Sequence, residues 1–134
     1  MEYIIETDNL TKKYKGFIAL NNFNIHIPEG SIYGLIGKNG AGKTTLIRLI
    51  CGLQNPTSGT YSIYGVKNTS TNVITVRKRI GAIIETPSIY LDMTAEQNLK
   101  QQFKIIGLPI TDYLYDILEL VGLDRTGKKQ VKNF

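Results

Sequence analysis

The stretch that decides the fold is Ser31-Ile32-Tyr33-Gly34-Leu35-Ile36-Gly37-Lys38-Asn39-Gly40-Ala41-Gly42-Lys43-Thr44-Thr45-Leu46-Ile47-Arg48-Leu49-Ile50-Cys51-Gly52. Its first six residues, 31–36, are nearly all apolar, the pattern of a strand covered on both faces. Glycines then recur at 37, 40 and 42. From Lys43 onward, Leu46, Leu49 and Ile50 stand at helical spacing, and Gly52 supplies a C-terminal cap. The expected order is strand, glycine-rich loop, helix.

Gly37 to Thr44 fits the pattern G-x-x-x-x-G-K-[ST], in the strand-to-helix setting that gives the pattern meaning. The chemistry behind it is anion binding. A triphosphate presents a row of negative oxygens, and a backbone that turns its N–H groups inward can meet them. Gly37, Gly40 and Gly42 permit the tight turn and keep side chains out of the way, while Lys38, Asn39 and Ala41 contribute backbone to the cradle. The helix beginning near Lys43 adds its positive dipole end. Lys43, the expected catalytic residue, reaches toward the β- and γ-phosphates as a point charge. Thr44 offers its hydroxyl to Mg²⁺, and Thr45 is placed to touch the α-phosphate. The expected ligands are ATP and Mg²⁺.

On the N-terminal side, residues 3–7 read as a short strand. Residues 22–27 alternate, with Phe23, Ile25 and Ile27 on one face and Asn22, Asn24 and His26 on the other, as in a half-buried sheet. His26, the sole histidine, falls on the polar face and is given no role. Pro28-Glu29-Gly30 is a turn signal.

On the C-terminal side, Pro56, Thr57, Ser58 and Gly59 mark a loop, residues 60–64 a further strand, and Gly65 a turn. Residues 80–84 are almost wholly apolar and fit a core strand that stops at Glu85-Thr86-Pro87. Thr94 with Gln97 three residues on has the capping-box form and opens a helix carrying Leu99, Phe103 and Ile106, closed by Gly107 and Pro109. From Thr111, the positions Leu114, Ile117, Leu118 and Val121 repeat at i, i+3, i+4, i+7, so a second amphipathic helix runs to about Gly122. The polar tail, 124–134, is expected to end without a closing element.

The 134 residues, 42% hydrophobic, are enough for one core. Sixteen Lys and Arg against eleven Asp and Glu give a net charge of +5, but Lys12, Lys13, Lys15, Arg77, Lys78, Arg79, Lys128 and Lys129 are spread out as on a solvated surface, and no nucleic-acid partner is expected. Cys51 is the only cysteine; it allows no internal disulfide and reads as a packing residue in a reducing cytosol. No apolar run is long enough to span a membrane, so a membrane connection is expected through a partner.

The run from Gly37 to Leu46 resembles the Walker A segment of ABC transporter ATPases, which favour an Asn-Gly-Ala-Gly-Lys core. Leu10-Thr11-Lys12-Lys13-Tyr14, followed by Ala19-Leu20-Asn21-Asn22-Phe23, is similar to that family's opening, and the resemblance implies that Tyr14 stacks on adenine. Residues 52–59 look like the family's loop after the phosphate-loop helix, and 80–85 resemble the strand leading into its Q-loop. Glu85 stands where the family usually has Gln. The resemblance implies that this residue contacts Mg²⁺ and relays the nucleotide state to the membrane subunit, and a carboxylate is a competent ligand for a hard cation. Glu at this place is similar to the branch that exports lantibiotics, bacitracin and related peptide antibiotics, often for self-protection. A Walker-B-like acid and a plain strand-end surface glutamate are the other two readings of Glu85.

The resemblance implies an α/β fold: a P-loop NTPase core with an antiparallel β subdomain and the start of a helical subdomain, incomplete at the C-terminus. Residues 1–134 are then a partial nucleotide-binding domain, with 1–92 or so as β subdomain and P-loop core and 93–134 or so beginning the helical subdomain. No signature segment, Walker B acid or switch histidine is found, so a fragment that is inactive alone is expected. The parent protein is expected to couple ATP hydrolysis to export, cytoplasmic and peripheral on the inner face of the cell membrane, with transmembrane permease subunits and a second ATPase subunit as partners. The rivals are an ABC-type ATPase acting on nucleic acid or the ribosome, and a regulatory fragment that folds without hydrolysing.

Overall fold

The computed structural model describes residues 2–134, and two compact units divide the chain after Thr86. The first unit is built on one long strand. β1 (Tyr3–Tyr14) pairs antiparallel with β2 (Phe17–Phe23), β3 (His26–Pro28) and β4 (Ser58–Ile63), and β4 pairs in turn with β5 (Val66–Lys67). The sheet order is β2-β1-β4-β5, with β3 also lying on β1. The strand expected over 3–7 is therefore the beginning of a twelve-residue one.

The alternation expected over 22–27 survives, with Ile25 buried, Phe23 and Ile27 packed against the core and His26 exposed. The strand itself is broken. Thr7, buried in β1, donates its hydroxyl to the Phe23 carbonyl at 2.8 Å and accepts the Ile25 amide at 2.9 Å, bridging the break between β2 and β3 from the strand that both pair with. A buried hydroxyl must be satisfied, and this one is satisfied on both sides.

α1 (Lys43–Ile50) lays Leu46, Leu49 and Ile50 into a core shared with Leu10, Leu20, Ile25, Tyr61, Ile63 and Val73. Each fully buried Leu or Ile contributes about 1.5–3 kcal/mol, which is what fixes the helix and hence the loop before it. A short helix absent from the sequence expectation, α2 (Val73–Arg77), adds Val73 to this core. Its Arg77 donates to the Tyr61 hydroxyl, and its guanidinium lies where a side chain on Gly52 would be, 2.5 Å from an ideal Cβ.

Two expected strands do not form. Residues 31–36 and 80–84 carry no ladder pairing, and Ile36 and Ile83 are 98% and 74% exposed. A core strand needs neighbours to take up its N–H and C=O groups, and among the described residues no strand lies alongside either run. Between them and α1 is an apolar cavity of about 370 Å³ lined by Ile5, Ile27, Tyr33, Leu35, Ile47 and Cys51 among others.

In the second unit α3 (Ala95–Ile106) and α4 (Tyr113–Leu120) bury Ala95, Phe103, Leu114 and Leu118 against one another. The capping box is complete: the Thr94 hydroxyl accepts the Gln97 amide at 3.1 Å, and the Gln97 side chain accepts the Thr94 amide at 2.9 Å. Gly107 closes α3 at φ 83. Ile106 and Val121, expected on the buried faces, are exposed. The tail does not trail off as expected. Val131 and Lys132 donate to the carbonyls of Met93 and Leu91, and Lys132 pairs with Asp92 at 2.9 Å, so residues 130–133 close back on the approach to α3.

Candidate functional site

The loop between residues 37 and 45 begins after the unpaired run 31–36 and ends in α1. Gly42 is the N-cap of α1, at φ 95, and no side chain caps the helix. The first helical hydrogen bond runs from the Leu46 amide to the Gly42 carbonyl at 2.9 Å. The amides of Lys43, Thr44 and Thr45 precede it and are orphan donors of the kind a bound anion satisfies. No acidic residue lies in the first turn, so the positive end of the helix is left uncompensated.

Glycine is required here by space as well as by backbone angle. A Cβ on Gly42 would lie 2.3 Å from the Ala19 carbonyl oxygen and 3.2 Å from Leu20 Cδ1, so β2 presses directly on the loop. A Cβ on Gly37 would meet Ala41 Cβ at 3.0 Å and Lys43 Nζ at 3.6 Å. Inside the loop, Ala41 donates to the Lys38 carbonyl at 3.0 Å. The Lys43 ammonium curls over the turn and donates to the carbonyls of Gly37 and Lys38, the latter at 2.9 Å. Those two carbonyls are neutral, and an anion entering the loop would be a stronger partner for the same cation.

Asn39, Gly40, Ala41, Gly42, Lys43, Thr44 and Thr45 line an open cavity of about 370 Å³, together with Phe17 and Ala19. Seven of the nine expected phosphate-loop residues are thus brought to one concavity, and Gly37 and Lys38 bear on it through their bonds to Lys43. The donor set is backbone amide, ammonium and hydroxyl, with no carboxylate in the lining. That composition fits a polyphosphate. The Thr44 hydroxyl fits a Mg²⁺ carried in with phosphates, since such ions keep most of their water and take few protein ligands. Among the described residues no group of three His, Cys, Asp or Glu could hold a metal by itself.

Glu85 lies outside that lining. Its carboxylate is 3.8 Å from Arg48 Nη2 of α1, and its backbone is at φ 63, an uncommon angle for a non-glycine residue. Tyr14 also lies outside the lining. Its hydroxyl bonds to Gln54 Oε1, and its ring stacks on Phe17 with centroids 5.3 Å apart. Phe17, directly after the Lys15-Gly16 turn, lines the loop cavity. Cys51, at the end of α1, has its thiol pushed above the ordinary range by burial, with the nearby Arg77 charge opposing; that favours the packing role over a reactive one.

A family profile described as ABC transporter matches residues 20–134. Over its whole length the chain is 43% identical to the bacitracin transport ATP-binding protein BcrA of Bacillus licheniformis, covering 44% of that protein. It is 36% identical over 131 residues to the lantibiotic transport ATP-binding protein SrtF of Streptococcus pyogenes, covering 98% of this chain and 55% of the relative. A solved structure titled as the ATP binding subunit of an ABC transporter superposes with a TM-score of 0.81 at 30% identity, over 98% of this chain and 55% of that one. The chain spans about half the length of the proteins it matches.

Proposed function

Because the chain belongs to the ABC transporter ATP-binding family, we propose that it is the ATP-gripping part of a transporter subunit that drives export of a peptide antibiotic. The observation that carries the nucleotide half of this reading is the loop itself: open amides at the start of α1, a lysine ammonium held only by neutral carbonyls, and a cavity lined by both. The antibiotic half is supported by the relatives named for bacitracin and lantibiotic transport and by Glu85 in place of the usual Gln.

In this reading the amides of Lys43, Thr44 and Thr45, with those of Gly40 and Gly42, bind the phosphate oxygens, and Lys43 leaves the carbonyls of Gly37 and Lys38 to pair with the terminal phosphates. Thr44 binds Mg²⁺ through its hydroxyl. Glu85 joins it on the metal side, giving up its exposed pairing with Arg48, which is worth little. Mg²⁺, when bound, neutralises charge on the phosphates. The aromatic pair Tyr14 and Phe17 borders the base end of the site.

No carboxylate or imidazole lines the cavity to activate a water, so these residues are assigned binding without fast turnover. Hydrolysis, the permease subunits, the second ATPase subunit and a peripheral position on the inner membrane face belong to the proposal for the whole protein. No helix among the described residues is long and apolar enough to cross a membrane.

Comparing ATP with AMP tests the phosphate grip. Calorimetric titration is expected to give Mg-ATP binding at least about a hundredfold tighter than AMP; equal affinities would reject it. The export reading is tested by expressing the complete protein with its permease partner in a bacitracin-sensitive host, where unchanged sensitivity would count against it.

A further inference from the structure

Arg48 of α1 holds the carboxylate of Glu85, with Nη2 and Oε1 3.8 Å apart. We propose that Arg48 is a positioning residue that competes with Mg²⁺ for Glu85, keeping the carboxylate beside α1 until a Mg-nucleotide draws it away. The inference rests on the reading of Thr44 and Glu85 as the metal side of the phosphate site.

The spacing along α1 places the two contenders together. Arg48 follows Thr44 by four residues in the helix Lys43–Ile50, so the two stand on one face with Cβ atoms about 5–6 Å apart. Helical Cα–Cβ bonds tilt toward the N-terminus, which leads the Arg48 side chain back toward the turn that carries Thr44. Pairing with Arg48 thus brings Glu85 to the side of α1 that presents the Thr44 hydroxyl.

Arg48 does not need this partner. It sits in the last turn of α1, where a cation already interacts favourably with the helix dipole. The side chains of Arg48 and Glu85 are 38% and 66% exposed, and water screens a pair this open, so the hold is weak. Weakness suits a latch, because a monovalent partner at 3.8 Å yields to a divalent one at coordinating distance. Glu85 also stands at φ 63, in the left-handed region that costs a non-glycine residue energy and recurs at ligand clamps and switches. A neutral amide at this position would bring no charge for Arg48 to hold, so the competition belongs to the carboxylate.

Removing the Arg48 charge therefore acts by two routes of opposite sign. Loss of a cation near the loop weakens every anion by simple electrostatics. Loss of the competitor strengthens the metal-bound form alone.

The test measures the affinity of the full chain for Mg-ATP and for ATP in EDTA by calorimetry; their ratio isolates the share due to the metal. At low ionic strength Arg48→Met is expected to raise that ratio about two- to fivefold, the range of an exposed ion pair. Arg48→Lys should keep it near wild type, and about 0.5 M salt should erase the gain. Glu85→Gln should lower the ratio, and Arg48→Met added to Glu85→Gln should change nothing further, because a residue acting through another is silent once that other is gone. If Glu85→Gln lowers the ratio but Arg48→Met does not raise it, the competition is overturned and Glu85 stays on the metal. An equal rise in both backgrounds would show that Arg48 acts without Glu85, and would overturn it too. A ratio unmoved by Glu85→Gln would instead take Glu85 off the metal side, and this inference with it. A wild-type chain that binds neither form of ATP would overturn the phosphate-loop reading itself.

Discussion

The α-carbon of Gly42 lies against the carbonyl of Ala19, so close that a single added methyl would stand 2.3 Å from that oxygen. The contact ties the phosphate loop to β2 across 23 residues of chain, and it joins two demands at one position: a left-handed backbone and no side chain. Gly42→Ala is therefore expected to destabilise the protein by about 2–5 kcal/mol, the sum of left-handed strain and overpacking against rigid backbone. Urea unfolding measures this, and a midpoint equal to wild type would show that β2 yields more easily than the geometry implies. Nucleotide affinity should fall as well, since any relief of the clash moves the loop.

Gly59 has the same pair of constraints away from the loop, with φ 75 and an ideal Cβ 2.2 Å from the Asn9 carbonyl oxygen. Gly59→Ala should lower stability by a similar amount, about 2–5 kcal/mol, while leaving Mg-ATP affinity of the folded protein within about twofold of wild type. The contrast between the two variants separates loss of fold from loss of site. A large affinity loss in Gly59→Ala would mean that the two are not separable.

How far the site was legible follows from what each residue depends on. The phosphate loop is local: the spacing of Gly37, Gly40, Gly42, Lys43 and Thr44 is enough to specify it, and most of it comes together around one cavity. The caps at Thr94 and Gly107 are equally local and equally clear. The runs 31–36 and 80–84 show the opposite case. Their apolar character states a demand for neighbours on both sides, and composition cannot say whether neighbours are at hand; among the described residues none pairs with them. The break at Asn24-Ile25 was hidden for a related reason, because it depends on the hydroxyl of Thr7, 18 residues away from Ile25. That Phe17 lines the loop cavity is likewise a matter of tertiary placement, about which hydrophobic periodicity carries no information.

The capping box gives a direct check on the second unit. Thr94→Ala removes the acceptor of the Gln97 amide and should cost about 1 kcal/mol. Because Asn98 also bonds the Thr94 carbonyl, the backbone should hold its course, and helical content by circular dichroism should change little. A loss of most helical signal would show that the cap nucleates α3 rather than trimming its end.

Glu96 on α3 is held below the ordinary carboxylate range by hydrogen bonds from Lys100 and then Tyr115, and Lys100 is held above its own ordinary range by the same partner. A depressed carboxylate contributes fully above its unfolded value, about 4.3, and loses that contribution as the pH falls through its lower folded value; a raised lysine contributes below about 10.4 and loses it in stronger alkali. The pair is exposed, so the effect is small. Glu96→Gln should lower the melting temperature slightly and equally at about pH 6 and about pH 8, and the difference should shrink below about pH 4. A difference that grows in acid would reverse the assignment.

The central claim is that the amides and ammonium of residues 37–45 hold the phosphates of a nucleotide, and Lys43→Ala tests it most directly. The Mg-ATP dissociation constant, measured by calorimetry on wild type and variant, is expected to rise at least about tenfold, the loss of one charge-assisted contact, with the melting temperature little changed. An unchanged dissociation constant in a folded Lys43→Ala protein would contradict the account.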